Sequence, residues 1–129
     1  MQPQADPLKK IKQLRQVGAV VWFLFTTVLL VIPGNALPKG PPIDIPFFDK
    51  WVHVLLFAVL SWLSCVFATG QGDRFKILAA VIVYGIAMEF VQKYLVVNRS
   101  FDLVDIVADS LGAWLGVWAA KKWPTSVIK

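Results

Sequence analysis

The stretch Asp102-Leu-Val-Asp-Ile-Val-Ala-Asp-Ser-Leu-Gly-Ala-Trp-Leu-Gly116 decides the fold, because it places a polar and glycine-containing stripe on one side of an apolar helix. At about 100° per residue, Asp105, Asp109, Gly112 and Gly116 fall within roughly 60° of one another, and Asp102 lies at the margin of this stripe. Glycines four residues apart allow a second helix to approach closely, and carboxylates in an apolar setting face a bundle interior, a wet cavity or a partner charge. The stretch therefore predicts a membrane helix that packs through its polar face.

The composition of the whole chain supports a membrane protein. Of its 129 residues, 57% are hydrophobic and only 16% are charged, which is too apolar for an ordinary soluble domain. Four apolar runs, at 16–33, 51–69, 77–97 and 103–120, each come close to the roughly 20 residues that a membrane-spanning helix needs. We therefore predict an all-α, polytopic membrane protein built as a bundle of four transmembrane helices.

The distribution of basic residues predicts the orientation of this bundle. We divide the chain into a basic N-terminal segment (1–15), one membrane domain (16–120) and a basic tail (121–129). Both ends should be cytoplasmic, because basic residues near membrane spans concentrate on that side. Three flanking basic residues fall on the outer side (Lys39, Lys50 and Arg99), and nine fall on the cytoplasmic side: Lys9, Lys10, Lys12, Arg15, Arg74, Lys76, Lys121, Lys122 and Lys129.

The basic start and first apolar run also resemble a signal peptide, with a passable cleavage site at Gly34-Asn35-Ala36. The three further spans favour an uncleaved anchor instead. The net charge of +5 does not indicate a nucleic-acid partner, because the basic residues flank spans and form no separate basic domain. Membrane lipids are the expected partners.

Polar side chains from three spans should meet at the outer end of the bundle, because spans two and four run inward whereas span three runs outward. Ionisable residues inside a membrane span are candidates for function. The candidate polar cluster consists of Asp49, Lys50, His53, Glu89, Gln92, Arg99, Asp102, Asp105 and Asp109.

Three interpretations of the candidate polar cluster remain open. His53 with Glu89 or Asp105 suits an acid/base pair. Asp105, Asp109 and Glu89 offer the oxygen ligands that hard cations prefer. Alternatively, the cluster is an ion-pair network that holds the helices in register. Asp105 and Asp109 lie about 5.4 Å apart along the helix, so a proton, a cation or a basic partner must relieve their repulsion. The basic candidates are Arg99, Lys50 and protonated His53, and of these we expect Arg99.

Other residues have simpler predicted roles. Asp102 is expected to cap the fourth helix, which Asp does well. Gly85, Gly112 and Gly116 are expected to be helix-packing residues, and Gly112 and Gly116 also offer a surface for oligomerisation. The sequence contains no Gly-rich phosphate loop, nucleophile elbow, CxxC pair or HExxH motif, and its one cysteine, Cys65, cannot form an internal disulfide. We expect no cofactor, and the identity of any metal is left open.

Several sequence features, taken in their order along the chain, make it resemble the VanZ-like family of small bacterial membrane proteins over most of residues 20–118. The first span ends in Pro33-Gly34, and one departure lies at Asp109, where the family usually has Asn. The other matching residues are Asp49, Lys50, His53 and Phe57 opening the second span, Glu89 and Gln92 in the third, and Arg99, Asp105, Gly112 and Gly116 around the fourth.

This resemblance implies location more than activity. It implies a multi-pass protein of the bacterial plasma membrane, and the family takes its name from a protein associated with teicoplanin resistance. We expect an envelope protein whose outer-facing polar cluster binds a lipid-linked cell-wall intermediate or a glycopeptide. The alternatives are a membrane hydrolase or transferase that uses His53 and a carboxylate, and a non-catalytic scaffold. The sequence leaves open whether the protein is an enzyme.

Overall fold

The protein folds as four long helices, as the sequence predicts. The structure is a computed structural model, and it describes residues 3–4, 6–37, 40 and 45–122. Within this part of the chain there are four α-helices and no strand, and each helix is long and apolar enough to cross a membrane. The helices are α1 (Pro7–Val31), α2 (Phe48–Ser64), α3 (Gln71–Leu95) and α4 (Leu103–Lys122). A short 3₁₀ turn, Cys65–Phe67, continues α2.

The ends of the helices differ from the predicted spans. Asp6 caps α1 by accepting a hydrogen bond from the backbone N–H of Leu8, and Pro7 occupies the first turn, where proline is well tolerated. Because α1 begins at Pro7, most of the basic segment 1–15 is helical rather than a separate arm. The fourth helix begins at 103 as predicted and includes Lys121 and Lys122. Lys39 and the tail from 123 to 129 lie outside the described residues.

Helices α2 and α4 form the closest pair in the bundle. A Cβ atom added at Gly112 would overlap the backbone carbonyl of Val54, and one at Gly116 would overlap that of Ala58. Only glycine at these two positions lets the backbones approach this closely. Ser61 strengthens the pair by donating to the carbonyl of Ala113 at 2.8 Å. Within one chain, then, the predicted packing glycines of α4 are covered by α2.

The buried core lies where the four helices meet, and a much larger apolar surface faces outward. The core contains Leu30, Leu56, Phe57, Leu60, Val81, Met88 and Ala113. Exposed apolar side chains include Val21, Leu55, Val83 and Val107. In water such a surface would be unfavourable, whereas lipid tails solvate it at little cost.

The bundle has two chemically different ends. The C-terminus of α1, the N-terminus of α2, the C-terminus of α3 and the N-terminus of α4 form what we call the polar end, because it carries the acidic residues of the predicted cluster. At the opposite, basic end, Arg15 lies over the ring of Trp62, 5.8 Å from its centroid. Lys76 and Lys122 lie at the same end, at the start of α3 and the end of α4.

Candidate functional site

A lysine at the N-terminus of α2 gathers three carboxylates at the polar end. Lys50 Nζ lies 2.7 Å from Asp49, 2.7 Å from Asp102 and 2.6 Å from Asp105. Asp49 comes from the same helix, whereas Asp102 and Asp105 come from the start of α4. Lys50 therefore fixes the first turn of α4 against α2 and neutralises part of the acidic charge.

The expected cap at the start of α4 is confirmed. Asp102 accepts a hydrogen bond from the backbone N–H of Val104 at 2.8 Å. The hydrogen bond from Lys50, assisted by the one from Val104, holds the pKa of the Asp102 carboxyl below its usual range. Asp102 is thus ionised at neutral pH while it both caps the helix and pairs with Lys50.

One turn deeper, a buried histidine pairs with the second aspartate of α4. His53 Nδ1 lies 2.8 Å from Asp109 Oδ1, and the two residues are only 6% and 1% exposed. His53 Nε2 faces Asp105 Oδ2 at 3.9 Å, which is too long for a hydrogen bond. The second oxygen of Asp109 has no hydrogen-bond partner among the described residues. A buried carboxylate thus orients the imidazole and leaves one ring nitrogen uncommitted.

Two polar residues of α3 tie the site to the neighbouring helices. Glu89, which is 1% exposed, accepts a hydrogen bond from the backbone N–H of Asp102 at 3.0 Å. Gln92, one turn further on, donates to the carbonyl of Leu30 at 2.9 Å. Gly85, one turn before Glu89, leaves room for Asp109, because an added Cβ would press against that side chain and Phe57. Glu89 and Gln92 thus join α3 to α4 and α1 respectively.

The expectation that Arg99 neutralises the aspartates of α4 is wrong. Its guanidinium donates instead to the carbonyls of Leu29 at 2.9 Å and Ile32 at 3.1 Å, at the end of α1. Pro33 has no N–H with which to complete the helical hydrogen bond to Leu29, and Arg99 supplies the missing donor. Burial lowers the pKa of the Arg99 guanidinium from its usual value, although the charges of Asp105 and Glu89 partly oppose that shift.

A cavity of about 570 Å³ opens beside His53 and Arg99 at the polar end. This volume lies in the range of small-molecule sites. Its polar lining comes from Asp49, His53 and Arg99, together with the backbone at Gly40. The apolar part of its lining is contributed by Leu29, Leu30, Leu37, Phe48, Val52 and Leu56. No local pattern distinguishes Leu29, Val52 and Leu56 from other apolar residues of the spans, because lining the cavity depends on how α1 and α2 lie relative to each other.

The structure brings the predicted cluster together in two connected parts. Asp49, Lys50, Asp102 and Asp105 form the outermost part, and His53, Glu89 and Asp109 lie beneath it, whereas Gln92 and Arg99 serve the end of α1. Within the described residues, His53, Glu89 and Asp105 offer ligand atoms that all lie within 4.8 Å of one another. The sequence grouped Asp109 with Asp105 and Glu89 as candidate oxygen ligands of a cation. In the structure Asp109 instead contacts His53 Nδ1, the ring nitrogen that faces away from Asp105.

Comparison with known proteins identifies relatives of this chain. A family model described as VanZ/LLP1 matches residues 2–125. An uncharacterized protein of Schizosaccharomyces pombe, C11E3.10, is 32% identical over 94 residues, which cover 70% of this chain and 57% of the yeast protein. The chain therefore spans little more than half the length of this relative. No solved structure matches. Since this relative is fungal, a bacterial origin and antibiotic resistance remain predictions.

Proposed function

The chain belongs to the VanZ/LLP1 family, and from this premise we propose that it is a multi-pass membrane protein whose polar end binds an anionic amphiphile. The ligand class consists of molecules with a long apolar chain and an anionic headgroup, which includes lipid-linked envelope intermediates and acylated glycopeptides. Its place of action is the outer leaflet of the plasma membrane. A single observation carries the proposal: the cavity joins an apolar wall to a cationic group.

The cavity lining supports this ligand class. Leu30, Val52 and Leu56 line an apolar surface that suits an acyl or polyprenyl chain. Arg99 adds a positive charge to the same cavity, and a guanidinium has more donors than its two bonds to α1 use. Phosphate and carboxylate groups are its preferred partners. His53 adds a further polar contact at the same end.

The orientation in this proposal rests on charge. The basic end carries lysines and arginines from α1, α3 and α4, and basic residues near spans favour the cytoplasmic side. The polar end would then face outward with both termini cytoplasmic.

A test of this orientation uses a Cys65→Ala background with a single introduced cysteine, either Val97→Cys or Gly72→Cys, at positions near opposite ends of α3. Impermeant thiol reagents on intact cells should label position 97 and spare position 72, and the reverse pattern would invert the topology.

Ligand binding is best tested with a polyprenyl phosphate on the full chain purified in detergent. Native mass spectrometry should show one lipid per chain, and the matching polyprenol without phosphate should bind more weakly. Arg99→Gln removes the charge and should weaken binding about 10- to 100-fold, since a hydrogen bond to a charged group contributes about 1.5–3 kcal/mol. Binding that is indifferent to the phosphate would contradict the proposed headgroup site.

A second variant separates binding from the structural role of Arg99. Val52→Trp places a large ring in the cavity without touching the hydrogen bonds to α1, and it should also abolish binding. Leu111→Trp is the matched control, because Leu111 is an exposed residue of α4 that does not line the cavity. Equal loss in both tryptophan variants would indicate a nonspecific effect. An acylated glycopeptide should compete with the lipid, whereas one without an acyl chain should not.

The geometry of His53 favours hydrolysis of the bound amphiphile as a second candidate function. Asp109 orients the imidazole, and Nε2 is uncommitted, which is the arrangement of a general base and its orienting carboxylate. In this role Nε2 would accept a proton from water as the water oxygen bonds to the phosphorus of the headgroup and the ester bond to the alcohol breaks, and the imidazolium would return that proton to the leaving alcohol oxygen. His53→Gln should then retain lipid binding and lose turnover. Unchanged turnover in a folded His53→Gln protein would rule out this role.

A further inference from the structure

Three helices each bring one metal-ligating side chain to a common point beneath Lys50. His53 comes from α2, Glu89 from α3 and Asp105 from α4, and their candidate ligand atoms lie within 4.8 Å of one another. With bonds of about 2.0–2.2 Å, ligand atoms around a metal are separated by about 3.0–4.2 Å. The 3.9 Å between His53 Nε2 and Asp105 Oδ2 already lies in this range. Small side-chain rotations would bring the remaining atoms to bonding distance.

Each of these side chains is held at one atom by a neighbour, and its second atom has no hydrogen-bond partner among the described residues. Lys50 holds Asp105 Oδ1 at 2.6 Å, and the backbone N–H of Asp102 holds Glu89 Oε2 at 3.0 Å. Asp109 holds His53 Nδ1 at 2.8 Å. Partners of this kind orient metal ligands and are a regular feature of metal sites.

The uncommitted ring nitrogen of His53 is the observation that points to a ligand. His53 is 6% exposed, and its Nε2 forms no hydrogen bond within the part of the chain that the structure describes. It points toward Asp105 Oδ2 from beyond hydrogen-bonding distance. His53 also lines the cavity at the polar end, and an imidazole nitrogen without a protein partner is available to bind a metal ion. An ion bound between these atoms would satisfy it.

We propose that His53 Nε2, Glu89 and Asp105 Oδ2 bind a divalent transition-metal ion of the Zn²⁺ or Mn²⁺ class. One imidazole nitrogen and two carboxylate oxygens suit these ions better than Ca²⁺ or Mg²⁺, which prefer oxygen ligands alone. Glu89, Asp105 and Asp109 bring three carboxylates to this point and Lys50 supplies one positive charge, so a divalent cation would cancel the excess negative charge. Three protein ligands leave at least one coordination position open, as in catalytic rather than structural sites. A metal bound at Nε2 excludes the general-base role of His53, so these two roles are alternatives.

Asp109 is a positioning residue in this site. It contacts His53 on the nitrogen opposite the metal, so that it fixes which ring nitrogen faces Glu89 and Asp105. Loss of such a partner typically weakens metal binding by about 10- to 100-fold. Asp109→Asn keeps an oxygen acceptor for His53 but removes the carboxylate charge. It should therefore weaken metal binding toward the lower end of that range.

The test uses the full chain in detergent, without an affinity tag and stripped of metal by a chelator. Calorimetric titration with Zn²⁺ alone should give one ion per chain, with Ca²⁺ binding at least about tenfold more weakly. His53→Gln and Glu89→Gln preserve side-chain size and should each weaken Zn²⁺ binding at least about tenfold. Asp73→Asn is the matched control, because Asp73 lies in the first turn of α3, at the opposite end of that helix from Glu89, and it should change the affinity less than about twofold.

Substitution of Co²⁺ for Zn²⁺ adds a spectroscopic readout that a merely structural role would not alter. Its visible absorption should report nitrogen and oxygen ligation in the wild type and change in His53→Gln. The proposal is overturned if the wild type binds no stoichiometric Zn²⁺, if folded His53→Gln binds it equally well, or if Ca²⁺ binds as tightly as Zn²⁺. Because no amphiphile is present, these outcomes are independent of the lipid-binding proposal.

Discussion

The His53–Asp109 pair offers the sharpest test of how the buried polar groups support the fold. Both side chains are almost fully buried, and their atoms lie 2.8 Å apart. Asp109→Ala removes the acceptor and leaves the buried Nδ1–H of His53 without its partner, for which the expected loss is about 1.5–3 kcal/mol in the free energy of unfolding. Asp109→Asn keeps an oxygen that accepts the Nδ1–H bond and should lose only about 1 kcal/mol. It should therefore be tolerated, in keeping with the asparagine usual in the family.

The assay for this pair is equilibrium unfolding by sodium dodecyl sulfate in mixed micelles, followed by circular dichroism. Ser110→Ala is the control, because among the described residues Ser110 Oγ bonds only to the carbonyl of Ile106 in its own helix. The predicted order of stability is wild type, then Ser110→Ala and Asp109→Asn close together, then Asp109→Ala well below. If Asp109→Ala is as stable as Ser110→Ala, the pair does not stabilise the fold and the reasoning fails.

Three further predictions concern packing, pH and an unsatisfied hydroxyl. Gly112→Ala should destabilise the protein by about 1–3 kcal/mol in the same unfolding assay, because the added methyl group forces α2 and α4 apart. Gly72→Ala, where the methyl group enters open space, should be neutral or stabilising. Equal effects would contradict the close helix contact. The lowered pKa of Asp102 contributes stability above its unfolded pKa of about 4, and that stability is lost as the pH falls through the folded pKa. Asp102→Asn still caps the helix but cannot titrate, so it should flatten the decline in unfolding free energy between about pH 5 and pH 3. An unchanged profile would contradict this. Thr26→Val should stabilise the protein by up to about 1 kcal/mol in that assay, because Thr26 Oγ1 is buried and has no hydrogen-bond partner among the described residues. A clear loss of stability would indicate that the hydroxyl has a partner.

The face of α4 was predictable because it depends only on local helix geometry. The periodicity placed Asp105, Asp109, Gly112 and Gly116 on one side, and all four contact α2 in the structure. The reversal of direction from span to span likewise brought Glu89 to the same end as Asp105. Such inferences need only the helical repeat and the order of the spans.

The partners of individual polar groups were not predictable in the same way. Arg99 lay close enough in sequence to the aspartates of α4 to suggest that it pairs with them, but the end of α1 lies nearer in space. The clue was present in Pro33, whose missing N–H leaves the carbonyl of Leu29 without its helical donor. The cavity is harder still, because it depends on the separation of α1 from α2, which no local pattern records.

The most direct test of amphiphile binding is photocrosslinking with a polyprenyl phosphate that carries a photoreactive group within its polyprenyl chain. The full chain would be reconstituted in lipid bilayers, labelled, digested and mapped by mass spectrometry. The account predicts labelling at Leu30, Val52 and Leu56 that an excess of unmodified polyprenyl phosphate suppresses. Labelling spread over lipid-facing residues such as Val83 and Val107, without suppression by the competitor, would contradict it.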